Sequence, residues 1–270
     1  MIADAIASET LFDSIVRHGV DSILAGTVTE KPYPHLMFKN FFANDVYRKL
    51  ISSWPDIDRY VDLNGARTRK QYTLWDRSVE AGDPERTALW RAVSHALSAP
   101  EIEAALRECL KRGLEIRSKG SGEGWPVPMY PQPVLYADFD GYVIKPHPDT
   151  RRKVLTMMIY MPEDESQRDL GTAVYKISPM GVFAWKSYGL VKEKTAPFLP
   201  NTGFAFVVIH PAHSLLHTSW HGRETISLDN AKSRMTLLNT YYAKPPKADE
   251  DRERLSVNGR PSRQTSPSEH

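Results

Sequence analysis

Tyr142-Val143-Ile144-Lys145-Pro146-His147-Pro148-Asp149 joins a strand-like run to a histidine and an aspartate two positions apart. On extended backbone, residues i and i+2 point to the same face. The imidazole of His147 and the carboxylate of Asp149 can therefore reach one point in space. An imidazole and a carboxylate are two of the three ligands of a facial triad, the set that suits a non-haem ferrous ion. The third member would be a histidine from a distant strand. Ser219-Trp220-His221-Gly222 offers one, and Arg234 follows it by thirteen positions inside the strand-like Arg234–Tyr242.

Outward from this stretch the pattern divides. From Val134 onward, strand-like runs recur at 134–145, 153–161, 172–178, 182–186, 203–209, 224–228 and 234–243, separated by turn residues. Such spacing predicts a β-sandwich or barrel. Upstream, helical periodicity dominates. Leu11, Phe12, Ile15, Val16, Val20, Ile23 and Leu24 share a face over 9–25. A strand is predicted after Pro34, then a helix capped by Asn44 or Asp45 and carrying Val46, Tyr47, Leu50 and Ile51. Pro84 and Pro100 each stand where a helix starts. Residues 56–82, around Trp75-Asp76-Arg77, read as a strand and a loop leaning over a site, and 118–133 as a loop. The prediction is one α+β domain over 1–243. Its helical, substrate-covering part is 1–133, packed on a β core over 134–243. The tail 244–270 is rich in Pro, Ser and charge, a composition that does not order itself.

The chain of 270 residues carries a formal charge of +2 and one cysteine, Cys109. The near balance gives no sign of nucleic-acid binding. A single cysteine excludes an internal disulfide and a thiolate zinc cluster, and fits a reducing compartment. The first residues do not read as a signal peptide, and no apolar run has the ~18 residues of a membrane span. The expectation is a soluble, cytoplasmic protein with no membrane partner. The oligomeric state is open, a homodimer among the options.

The ordered set of His147-X-Asp149, Trp220-His221-Gly222 and Arg234-X-Thr236 resembles the iron(II)/2-oxoglutarate-dependent oxygenases. Leu155–Pro162, Leu170–Tyr175 and Phe204–Phe206 extend the likeness, as does the opening Tyr33-Pro34-His35-Leu36 to Tyr47-Arg48-Lys49-Leu50. The resemblance implies a double-stranded β-helix, the jelly-roll or cupin-like core, with N-terminal helices packed on it. It implies that His147, Asp149 and His221 bind Fe(II), that 2-oxoglutarate and O2 take the open positions, and that succinate and CO2 leave as a substrate is hydroxylated. Arg234 and Thr236 would take the far carboxylate of 2-oxoglutarate, since a guanidinium fork matches a carboxylate bidentately. Family members that halogenate lack the carboxylate at the position of Asp149, so its presence favours hydroxylation, desaturation or ring chemistry.

Four histidines, His210, His213, His217 and His221, crowd the second motif. His221 is preferred, with His217 the runner-up. His217-X-X-X-His221 lacks the glutamate of a zinc-protease helix, and Pro211, Ser219 and Gly222 oppose a helix there. For the substrate, Arg151 and Arg152, with Lys153, are candidates to receive an acid, and Tyr136, Trp75, Arg77 and Trp185 to line a pocket. The small size and the lack of an extra binding domain favour a small metabolite, such as an amino acid, a sugar acid or a natural-product intermediate, with a protein substrate left open. Two other classes stay open: a jelly-roll protein that binds a metal or ligand without turnover, and a cupin-type metalloenzyme that uses no 2-oxoglutarate.

Overall fold

The run Lys153–Tyr160 has two faces, and both are buried. Leu155, Met157 and Ile159 belong to one large apolar cluster; Met158 and Tyr160 pack in a second. A strand buried on both sides needs a layer on each. In the computed structural model, which describes residues 2–63, 66–74, 79, 81–178, 189–228 and 232–245, helices supply one layer and a second sheet the other.

In chain order the elements are α1 (Ile2–Leu24), β1 (Thr27–Thr29), β2 (His35–Lys39), α2 (Asn44–Ser52), β3 (Val61–Leu63), β4 (Ala66–Thr73), α3 (Pro84–Leu97), α4 (Pro100–Cys109), α5 (Lys111–Ser121), β5 (Tyr130–Asp138), β6 (Ile144–His147), β7 (Lys153–Tyr160), β8 (Thr172–Ile177), β9 (Leu190–Ala196), β10 (Thr202–Val207), β11 (His221–Arg223) and β12 (Arg234–Tyr242). The larger sheet runs β1-β2-β10-β7-β12-β5-β4-β3 and the smaller β6-β11-β8-β9. From β5 to β12 the chain passes back and forth between the two sheets, and every pairing is antiparallel. That winding is a double-stranded β-helix, with β5, β12, β7 and β10 facing β6, β11, β8 and β9.

The register explains which residues enter the barrel. Thr156 lies opposite Phe206 and Thr240, Met158 opposite Phe204 and Leu238, and Tyr160 opposite Thr236. Directly paired residues share a face. This set looks inward, while Leu155, Met157, Ile159, Ala205, Val207 and Leu237 look out onto the helices. Helix α1 packs on α3, α4 and β2.

Helices α3 and α4 begin with Pro84 and Pro100, and Asp83 caps α3 by accepting from the Arg86 amide at 2.8 Å. Several details differ from the sequence expectation. Helix α1 starts earlier, at Ile2. Ala43, not Asn44 or Asp45, is the N-cap of α2 and offers no side-chain bond. The expected strand 134–145 is two, β5 and β6, broken at the turn where Gly141 has a φ of 78°. The expected loop 118–133 holds the end of α5 and the start of β5. Residues 224–228 form no strand; Ile226 only exchanges two backbone bonds with the turn at Gly141 and Tyr142. The N-terminal part adds β1 to β4 to the larger sheet. Trp75, Arg77, Trp185, the expected strand 182–186 and the tail from 246 lie outside the described residues. No helix among the described residues is long and apolar enough to cross a membrane.

Arg117 on α5 fastens the helices to the barrel. Its guanidinium is fully buried. Its donors meet both oxygens of Glu123 at 2.7 and 2.8 Å, and the carbonyls of Arg151, Lys153 and Val208 at 2.8 Å each. Removing it strands several buried acceptors at once. Arg117→Ala is expected to lose about 3–5 kcal/mol of stability, the cost of breaking a buried charged pair. Chemical denaturation checks this; a loss below about 1 kcal/mol would mean that water takes over the carbonyls.

Candidate metal centre

Strand β6 ends in His147, and β11 begins with His221 directly opposite it. Cross-strand partners share a sheet face, so the two imidazoles meet with ring centroids 4.5 Å apart. Gly222 permits this approach, because a Cβ there would come within 2.8 Å of the Ile144 carbonyl. Asp149 sits just beyond β6 and turns its carboxylate to the same point. Asp149 Oδ1 lies 3.9 Å from His147 Nε2, and Oδ2 lies 3.8 Å from His221 Nε2. One ligand atom from each residue lies within 4.8 Å of the others. With bonds of about 2.1 Å, cis donors to one ion stand roughly 3 Å apart, so the three side chains draw together by about 1 Å or more to close on a shared cation.

The imidazoles are set up as ligands. His147 Nδ1 is 3.0 Å from the Lys145 carbonyl, and His221 Nδ1 is 2.8 Å from the Ser219 carbonyl. A carbonyl only accepts, so each Nδ1 must carry the proton, leaving Nε2 with a free lone pair toward the shared point. Burial also pushes the His221 imidazolium down to about 4, which keeps the ring neutral. Asp149 is held as an anion. Burial would raise its carboxyl, but the Lys153 ammonium at 2.7 Å outweighs that and holds it well below the usual range. Thr156 donates to its other oxygen at 3.0 Å. Two neutral imidazoles and one oriented carboxylate fit a divalent first-row metal.

His210, His213 and His217 do not join this group. The His213 backbone amide donates to the His210 carbonyl at 2.8 Å, and His217 Nδ1 pairs with Ser214 Oγ at 3.0 Å. Arg151 and Arg152 are exposed in the turn before β7.

Deeper in the barrel lies a second polar cluster. Arg234 is buried and not a surface group. It donates to Asp138 Oδ2 at 2.7 Å, to Thr236 Oγ1 at 3.0 Å and to the Leu170 carbonyl at 2.6 Å. Its guanidinium stacks 4.3 Å over the Phe198 ring. Asp138 also pairs with Arg69 Nε at 3.1 Å, and Arg69 lies 4.0 Å over the Tyr136 ring. Tyr160 donates to Thr172 Oγ1 at 2.9 Å. Arg223, two residues after His221, is buried beside them and bonds the Gly171 and Asp169 carbonyls. Burial, then the neighbouring Arg234, pushes its guanidinium down to about 10. Sequence reading gave no site role to Asp138, Thr156, Tyr160 or Arg223. The i, i+2 rule that paired His147 with Asp149 also picks out Arg223 from His221.

Thr156→Val removes the bond that orients Asp149. It is expected to weaken metal binding about 10-fold, and Asp149→Ala by 100-fold or more. Titration with Mn(II) or Fe(II) measures both; equal affinities in all three proteins would mean the metal binds elsewhere.

No protein-family model matches the chain, and no curated protein matches it. Among solved structures, the chain is similar to a prolyl-4-hydroxylase from Pseudomonas putida, at 13% identity and a TM-score of 0.46, over 85% of this chain and 99% of that one. It is similar to a Trichoplax adhaerens prolyl hydroxylase in complex with a hypoxia inducible factor peptide, at 14% identity and a TM-score of 0.44, over 95% and 97%. HygX from Streptomyces hygroscopicus, with nickel and 2-oxoglutarate bound, is similar at 10% identity and a TM-score of 0.46, over 77% and 82%.

Proposed function

We propose that the chain is an iron(II)- and 2-oxoglutarate-dependent dioxygenase that hydroxylates an unactivated C–H bond of a small metabolite such as an amino acid, a sugar acid or a natural-product intermediate. One observation carries the reading. His147, Asp149 and His221 converge at one place in a double-stranded β-helix whose interior also holds the buried guanidinia of Arg223, on β11, and Arg234, on β12. His147, Asp149 and His221 would hold the metal, which when bound supplies oxygen activation coupled to decarboxylation of the co-substrate. One oxygen atom goes to the substrate as a hydroxyl and the other to succinate, with CO2 released.

The chain's own residues bind, orient and exclude water. Lys153 and Thr156 fix the Asp149 carboxylate, so its metal-facing geometry is set in advance. Phe206, with its ring centroid 4.5 Å from that of His221, walls the metal side against solvent. Arg234 and Thr236 share one face of β12 and offer donors to a carboxylate. Arg151 and Arg152 stand exposed shortly after Asp149, where an acidic substrate could meet them. Because Asp149 fills its ligand position, hydroxylation is favoured over halide transfer. The single cysteine and the need for ferrous iron fit a reducing, cytoplasmic setting.

The Fe(II)-loaded protein is expected to release succinate from 2-oxoglutarate in an oxygen-dependent way, stimulated by at least one member of a panel of small acids. Asp149→Ala and His221→Ala should bring release to background. A wild-type protein that binds iron yet releases no succinate across the panel would leave a metal-binding barrel without this turnover.

A further inference from the structure

Three chain segments rim the metal end of the barrel, and one side chain ties them together. Arg117 grips the Glu123 carboxylate and the carbonyls of Arg151 and Val208. These contacts fix the chain just after α5, the turn before β7, and the start of the 208–220 loop that ends at His221. The loop packs on the end of α5, where a Cβ on Gly120 would strike the His213 carbonyl. Arg151 reaches the loop as well. Burial first, and then the Arg151 guanidinium, push the His210 imidazolium below its usual range.

The loop is braced, and its tip is apolar. Ser214 Oγ pairs with His217 Nδ1 at 3.0 Å, and Thr218 Oγ1 donates to the Ser214 and Leu215 carbonyls at 2.8 and 3.1 Å. His210 Nδ1 accepts from the Ala212 amide at 3.1 Å. On this frame Leu215 and Leu216 stand outward, 62% and 86% exposed. Trp125, just beyond Glu123, is 54% exposed. Single apolar residues on a surface are ordinary, but two adjacent leucines on a braced tip, with an exposed tryptophan on the same rim, mark a contact. A small molecule needs a concave site. A protruding tip inserts into a partner and does not enclose one.

The charge around the tip selects the partner. Residues 194–223 contain no aspartate or glutamate. On the other two rim segments, 116–128 and 141–162, the acids are Glu123 and Asp149, and Arg117 and Lys153 match them. Arg151 and Arg152 stand exposed, as does Lys119 near the end of α5. Leucines that insert, a tryptophan at the boundary and arginines around them suit the surface of an anionic bilayer. We propose that the tip at Leu215 and Leu216, with Trp125, Arg151 and Arg152, docks the chain on anionic lipid, so that the metal end of the barrel faces the bilayer. The absence of a spanning run does not oppose this, because a surface contact needs none. Nor does the contact depend on turnover at the metal.

Co-sedimentation of the full chain with vesicles tests this, comparing equal parts phosphatidylglycerol and phosphatidylcholine with phosphatidylcholine alone. The chain is expected to bind the anionic vesicles more tightly, and salt to weaken that binding. Leu215→Ser with Leu216→Ser should weaken it roughly 10- to 100-fold, the loss of two inserted leucines. Arg151→Gln with Arg152→Gln should weaken it by about 5-fold for each charge removed. Lys176→Gln with Lys192→Gln, two exposed cations on β8 and β9, should change it little. Retained Mn(II) affinity in the leucine variant shows that the loop still delivers His221. Should that pair misfold, Leu216→Ser alone, at the more exposed position, carries the test. An equal loss in the lysine pair would reduce the contact to net charge and overturn the assignment. Leucine variants that bind like the wild type overturn it too, as does a wild type that ignores anionic vesicles at low salt. If that wild type instead self-associates and Leu216→Ser abolishes the association, the tip is a contact between copies of the chain and not a membrane anchor.

Discussion

A carboxylate that is 7% exposed must be paired or give up its charge, and Asp149 keeps its charge through Lys153 and Thr156. Both partners lie on β7, the strand that links the two other inner strands of the larger sheet, β10 and β12. Lys153 is held in its turn from the helical layer, because Arg117 on α5 grips the carbonyls of Arg151 and Lys153. The position of one buried anion thus depends on a helix, a turn and a strand together. If the turn slid by a residue, the carboxylate would lose its ammonium, and neither imidazole would have a partner across the barrel.

This dependence explains why the two polar clusters behave differently. At the metal end the donors are neutral imidazoles and a carboxylate balanced by one ammonium. At the deep end, among the described residues, two guanidinia share the carboxylate of Asp138, and the third, of Arg223, meets main-chain carbonyls. Between them the walls are Phe198, Phe204, Phe206, Val174 and Met158. Such a lining keeps the local dielectric low, so each unbalanced charge acts strongly on whatever enters.

The sequence made the metal end legible because its signal is local. His147 and Asp149 are two apart, and Gly222 beside His221 marks a close backbone approach to Ile144. The deep cluster was less legible because it is assembled by register. Asp138 meets Arg234 through the pairing of β5 with β12, and Arg69 meets Asp138 through β4 with β5. Neither pairing can be read from spacing. The end of α5 was read as part of the loop 118–133 because glycines and prolines crowd that stretch, although Gly113 and Gly120 sit within α5 where the chain must approach Val207 and His213 closely. Strand β9, with Lys192, Glu193 and Lys194 in a row, does not look like a strand. It is the edge of the smaller sheet, where charges face water and guard against further pairing. Residues 224–228 have strand-like composition but find no ladder, so propensity without a partner misled.

The charges of the two ends also constrain what the barrel can hold. With Asp149 already matched by Lys153, a divalent ion brings uncompensated positive charge to the metal end. The deep end has its own excess at Arg223. A neutral ligand would leave both excesses in a dry interior. A monoanion would answer one. A dianion with a charged group at each end answers both.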